Sequence, residues 1–149
     1  MTTRFLQLFT TGMLAGILVL LLTGSAHAHD PGLSAVEVRV LADRMVAEVS
    51  FAPDDLEGVQ QSAATLLAIY DNERKLELRS YSRSSPDRTS VHFVFEFPNA
   101  TASELRISAP VLTTLPRGHK QFCSVYDHDN RLLAERMLTA DATDLTIDL

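Results

Sequence analysis

Apolar and polar residues alternate with a period of two over much of the chain. In Ala35-Val36-Glu37-Val38-Arg39-Val40 the three valines fall on one face and Glu37 and Arg39 on the other, the pattern of a half-buried strand. Leu41 to Arg44 interrupts the alternation, and Met45, Ala47, Val49 and Phe51 resume it, so residues 34–51 predict a β-hairpin. Pro53-Asp54-Asp55-Leu56-Glu57 suits a first helical turn, with proline at its start and acids near the partial positive charge of the N-terminus. Gly58 keeps that helix short, so at most one short helix is expected, near 53–60. A second hairpin is predicted from Thr65 to Tyr70 and from Lys75 to Arg79 around Asp71-Asn72-Glu73. Ser82 to Ser90 is polar and aperiodic, contains Pro86, and predicts an exposed loop.

The strongest strand signal follows. Val91, Phe93, Phe95 and Phe97 alternate with His92, Val94 and Glu96, placing three phenylalanines on one face at the expected centre of the core. Glu104 to Ser108 reads as a short strand. Gln121 to Tyr126, a turn at Asp127-His128-Asp129-Asn130, and Arg131 to Leu138 read as a last hairpin, and Asp144 to Asp148 as a closing edge. Eight or nine strands at this spacing predict an all-β fold, an antiparallel β-sandwich of Ig-like architecture.

The first 28 residues break this pattern. Arg4 precedes an apolar run, Met13 to Leu22, that is too short to span a bilayer, and Ala26 and Ala28 form the small-x-small pattern that signal peptidase cuts. Residues 1–28 are therefore expected to be a cleaved signal segment and 29–149 one periplasmic or secreted domain, its mature terminus at His29. Of the 13 basic residues only Arg4 is lost, leaving 12 against 19 acidic ones and a formal charge of −7. Such a surface repels nucleic acid and anionic lipid and accepts cations, and no membrane insertion is expected after cleavage. Cys123 is the only cysteine, so no internal disulfide can form; within Phe122 to Tyr126 it reads as a small buried hydrophobe.

Four histidines remain: His29, His92, His119 and His128. Their spacing matches no standard zinc motif, so any site must be assembled by the fold. At His29 a free α-amine and an imidazole can chelate one ion of copper or nickel, which a second imidazole would complete; the plain alternative, favoured by the sequence, is a frayed terminus. His92 reads as a sheet-face residue or a carboxylate's partner, and His119, after Pro116 and Gly118, as a surface turn residue. Asp127 to Asn130 resembles a calcium loop in its donors but lacks the glycine and distal glutamate of an EF-hand, and a hairpin turn explains it better. Neither a Gly-x-Ser-x-Gly elbow nor a phosphate-binding glycine loop occurs, and no enzyme is expected.

Ala28-His29-Asp30-Pro31-Gly32-Leu33-Ser34, and Leu115 to Phe122 leading into Leu132 to Arg136, resemble the extracytoplasmic N-terminal domain of HupE/UreJ-like bacterial membrane proteins. In that family a β-rich exported domain precedes a helical membrane portion, and some relatives are implicated in nickel or cobalt uptake. The membrane portion, with its histidine-bearing helices, is absent here, so transport does not carry over. The resemblance implies an exported accessory domain beside an envelope membrane protein, with His29 and His119 at the positions that match and a divalent transition metal as the candidate ligand. The other reading open at this point is a structural or protein-interaction domain of the envelope without a metal role.

Overall fold

A computed structural model describes residues 32–86, 88–101 and 103–149. The expected signal segment and His29 lie outside these. Ten strands follow the chain: β1 (Leu33–Val40), β2 (Arg44–Phe51), β3 (Ala68–Asp71), β4 (Arg74–Lys75), β5 (Ser80–Ser84), β6 (Val91–Pro98), β7 (Glu104–Ser108), β8 (Lys120–Tyr126), β9 (Leu132–Thr139) and β10 (Asp144–Asp148). They form a six-stranded sheet in the order β5-β6-β2-β1-β8-β9 and a four-stranded sheet in the order β10-β7-β3-β4. The all-β sandwich expected from the alternation is the fold observed.

Each inner face is the apolar set predicted by the period of two. Val36 and Val38 of β1 pair with Val49 and Ala47 of β2, and Phe93, Phe95 and Phe97 lie against Val49, Ala47 and Met45. All are buried, as are Ile69, Leu105, Ile107, Leu145 and Ile147 of the facing sheet. Phe51 meets Phe93 edge-on with ring centroids 6.1 Å apart, and Phe95 stacks on Phe97 at 6.4 Å. Cys123 is inside this core, where burial pushes its thiol pKa up to about 12.

Three local expectations change. The helical turn Pro53–Leu56 stands where one was expected, but two more occur, Ala63–Leu66 and Pro110–Thr113. The first of these takes Thr65 and Leu66 out of the second hairpin, whose arms shrink to β3 and β4 around Asn72 at φ 53°. The predicted loop from Ser82 to Ser90 begins as strand β5, paired antiparallel with β6. All five β5 residues are exposed, so no buried face imprints an alternation on them; backbone hydrogen bonding to β6 decides their conformation.

One pairing matters more than the others for function. β8 runs parallel to β1, with Leu33 opposite Lys120 and Arg39 opposite Tyr126, whereas every other strand pair among the described residues is antiparallel. The chain reaches β8 from β7 of the other sheet through the turn Pro110–Thr113, a crossover long enough to bring β8 in alongside β1 in the same direction. Parallel pairing sets the starts of both strands side by side. Lys120 N–H donates to the Gly32 carbonyl at 2.8 Å, and residues 119 and 32 become neighbours across 87 positions of sequence.

Candidate functional site: a buried polar cluster at the start of β1 and β8

Gly32 and Gly118 shape the approach to the two strands. Both take left-handed backbone, φ 91° and 92°, which a side chain would strain, and they turn the chain so that His119 enters the sandwich. His119 is 3% exposed. The surface turn position expected for it is therefore corrected: parallel pairing rolls His119 onto the inner side of β8, with Gln121, and its ring lies 6.3 Å from Phe51.

Three further polar side chains surround it, all missed by sequence reasoning. Ser34, on β1, places its hydroxyl 2.9 Å from Nε2 of His119; Asp55, from the turn after β2, brings a carboxylate oxygen to 3.9 Å from Nδ1. Gln121 is the register partner of Ser34 and fully buried. Asp55 Oδ1 accepts the Gly32 N–H at 3.3 Å, tying the turn to the point where the chain enters the fold.

This cluster is unusual in what it leaves unpaired. His119 Nδ1, Asp55 Oδ2 and both amide atoms of Gln121 are buried without a hydrogen-bond partner. Such groups ordinarily cost about 1–3 kcal/mol each when left unpaired in the interior. Asp71 shows the usual solution: equally buried, it takes Arg74 Nη2 at 2.8 Å and the Thr101 hydroxyl at 3.0 Å. Among the described residues Asp55 has no such Lys or Arg beside it. Its buried neighbour is a neutralisable imidazole.

The order Ser34, His119, Asp55 has the connectivity of a nucleophile–base–acid relay. Ser34 is only 4% exposed, however, and its hydroxyl lies 3.5 Å from the Lys120 carbonyl, so the relay presents no nucleophile to solvent. The cluster is better suited to holding a cation. Two atoms each about 2 Å from one ion lie roughly 3–4 Å apart, the separation of Nδ1 and the Asp55 carboxylate.

Burial lowers the His119 pKa, and the Asp55 carboxylate offsets this only in part. In the window between that lowered value and the unfolded value of about 6.5, the unfolded chain binds a proton that the folded one refuses. Stability from this group is complete above the window and falls as the pH drops through it. Thermal melts of metal-free protein should show a lower Tm at about pH 5.5 than at about pH 7.5, with a smaller difference in His119→Gln. An equal drop in both proteins would remove His119 as the cause.

The other histidines stay apart from this site. His92, on the outer face of β6, bonds Glu48 and, at 3.1 Å, Ser90, the carboxylate partnership expected of it. His128 is exposed in the β8–β9 turn, at the opposite end of β8 from His119. Asp127, His128 and Asp129 do converge there. The Asp127 carboxylate is already engaged, accepting the Asp129 and Arg131 N–H groups at 2.9 Å and Arg131 Nε at 2.8 Å, which draws its pKa below the usual range. It shapes a turn, as expected. A separate apolar cavity of about 590 Å³ opens between the sheets, walled by Ala63, Leu67, Leu76, Leu78, Phe95 and Phe97.

Among the described residues no helix is long and apolar enough to cross a membrane. No family model matches the sequence, and no curated protein matches it either.

Proposed function

We propose that this chain is an exported, non-catalytic binding domain for a divalent transition metal, copper or nickel, held at the common start of β1 and β8. His119 Nδ1 and the Asp55 carboxylate are the ligands borne by the fold, and His29 supplies a third through its imidazole, with its α-amine as a fourth once the signal segment is removed. One observation carries this reading: an unpartnered, buried imidazole nitrogen, His119 Nδ1, lies 3.9 Å from Oδ1 of the Asp55 carboxylate, whose other oxygen, Oδ2, is buried without a partner. His29 stands three positions before Gly32, and an extended chain covers about 10 Å over that distance. Borderline nitrogen donors with one carboxylate suit copper, nickel and zinc; an amine and imidazole on one residue favour the first two. The resemblance to HupE/UreJ-like proteins supports a periplasmic location beside a membrane transporter, with the domain as an accessory that receives or presents the ion.

The test is isothermal titration of Cu(II) and Ni(II) into two proteins, one processed at His29 and one carrying a single extra residue before it. The extra residue removes the chelating amine and leaves every described side chain in place. Tighter binding by the native terminus is expected. Equal, weak binding by both would end the terminal-chelate reading.

A further inference from the structure

The solvent face of the large sheet is polar over most of its width, with Arg44, Glu48, Ser50, His92 and Glu96 at outward positions of β2 and β6. On β1, β8 and β9 it changes character. Register aligns three rows across these strands: Leu33, Lys120 and Thr139; then Ala35, Phe122 and Met137; then Glu37, Ser124 and Glu135. Phe122 is 38% exposed, Leu33 39% and Met137 44%, and they lie on the face of β8 opposite the buried Gln121 and Cys123. β9 ends the sheet, and among the described residues no further strand lies beyond it. Phe122 and Met137 are register partners and Leu33 lies diagonal to them, so the three side chains form one contiguous apolar strip open to a covering molecule.

We propose that this strip is the interface of a homodimer, two copies packed outer face to outer face about a two-fold axis that crosses the Phe122 row. The charges flanking the row identify a second copy as the occupant. Lys120 lies on one side of the apolar row, and Glu37 and Glu135 on the other. A two-fold axis in the plane of the sheet and perpendicular to the strands exchanges the outer rows. Lys120 of each copy then falls between Glu37 and Glu135 of the other, while Phe122 and Met137 pack on their own counterparts. Lys120 and Glu135 make no ion pair among the described residues, so both are free for this; Glu37 already holds Arg39 at 2.6 Å and can share its charge. Self-complementarity of this sort is what a closed, isologous dimer requires. An anionic lipid surface fits the same strip poorly, because two glutamates border it on a chain of net charge −6. The interface uses the outer face and leaves the inner-face cluster of His119 and Asp55 untouched.

Sedimentation velocity of the purified protein from micromolar to millimolar concentration is the deciding experiment, with Phe122→Glu, Met137→Glu and Lys120→Glu beside the parent. A concentration-dependent dimer is expected for the parent. Each variant should weaken it by on the order of 100-fold or more, because like charges then meet at a desolvated contact. Lys120→Glu combined with Glu37→Lys and Glu135→Lys should dimerise again, since every pair across the axis is then reversed together. The substituted positions are outward-facing, so unchanged circular dichroism and a cooperative thermal transition serve as the check that each variant folds. A parent that stays monomeric throughout, a dimer that survives both apolar-to-charged substitutions, a triple variant that stays monomeric, or a monomer that binds zwitterionic or anionic vesicles through this face would overturn the proposal.

Discussion

Phe95→Ala should lower the free energy of unfolding by about 3–5 kcal/mol, the range for removing a fully buried aromatic ring. Phe95 lies at the centre of β6, which has β5 on one side and β2 on the other, and none of it is exposed. Its ring contacts Phe97 and also Tyr81, at 5.2 Å, so truncation breaks two aromatic contacts besides losing its own burial. It also walls the 590 Å³ cavity between the sheets. The hole left by truncation would join that space, and the surrounding chain would have more to collapse than elsewhere in the core. The loss should therefore reach the upper part of the range. Urea denaturation of Phe95→Ala beside Val94→Ala, whose side chain faces outward on the same strand, separates ring burial from strand propensity. The control should change stability by less than about 1 kcal/mol. Equal losses in the two variants would contradict the placement of the phenylalanine face.

The second large effect concerns the proposed metal. His119→Ala removes the imidazole of the fold-borne pair, and Cu(II) or Ni(II) affinity should fall by more than the roughly 10–100-fold typical of losing an outer-sphere partner. Ser34→Ala provides that comparison. Ser34 contacts Nε2, on the far side of the ring from Asp55, and fixes which nitrogen is left to bind. Its loss should lie within the outer-sphere range, and His128→Ala, at the other end of β8, should leave affinity unchanged. Competition titration against a chelator of known strength would rank the three. Unaltered affinity in His119→Ala, with the fold intact by circular dichroism, would sink the proposed site. Removing His119 also takes a partner from the buried Ser34 hydroxyl and leaves a hole beside Phe51, so a less stable metal-free protein with weaker metal binding is the compound signature to look for.

Several features of the candidate site were legible from residues alone, and several were not. Pro116 and Gly118 announced a turn before β8, and the resemblance drew attention to His119. Its burial was invisible, because the residues just before it are turn-formers and no alternation reaches back past Lys120. Asp55 read as a helix N-terminal acid, which its position in Pro53–Leu56 bears out, yet its carboxylate turns inward beneath Gly32. Ser34 and Gln121 are polar residues on inner-facing positions of β1 and β8. Their break in each strand's apolar stripe was the one signal that could have paired them, and it required knowing that β1 and β8 are neighbours. In Ser80–Ser84 the difficulty was of another kind: an edge strand that buries nothing carries no periodicity to read.

Local alternation was enough to dictate the all-β class, the hairpin of β1 and β2 and the phenylalanine face of β6, because each depends on which residues must leave water, and a strand sorts these at every second position. The neighbours β1 and β8, the joining of His119 to Asp55 and Ser34, and the alignment of Leu33, Ala35 and Glu37 with Lys120, Phe122 and Ser124 were decided by tertiary structure alone. These follow from a crossover between sheets and its parallel register, where contacts distant in sequence are chosen by how two layers close over one core.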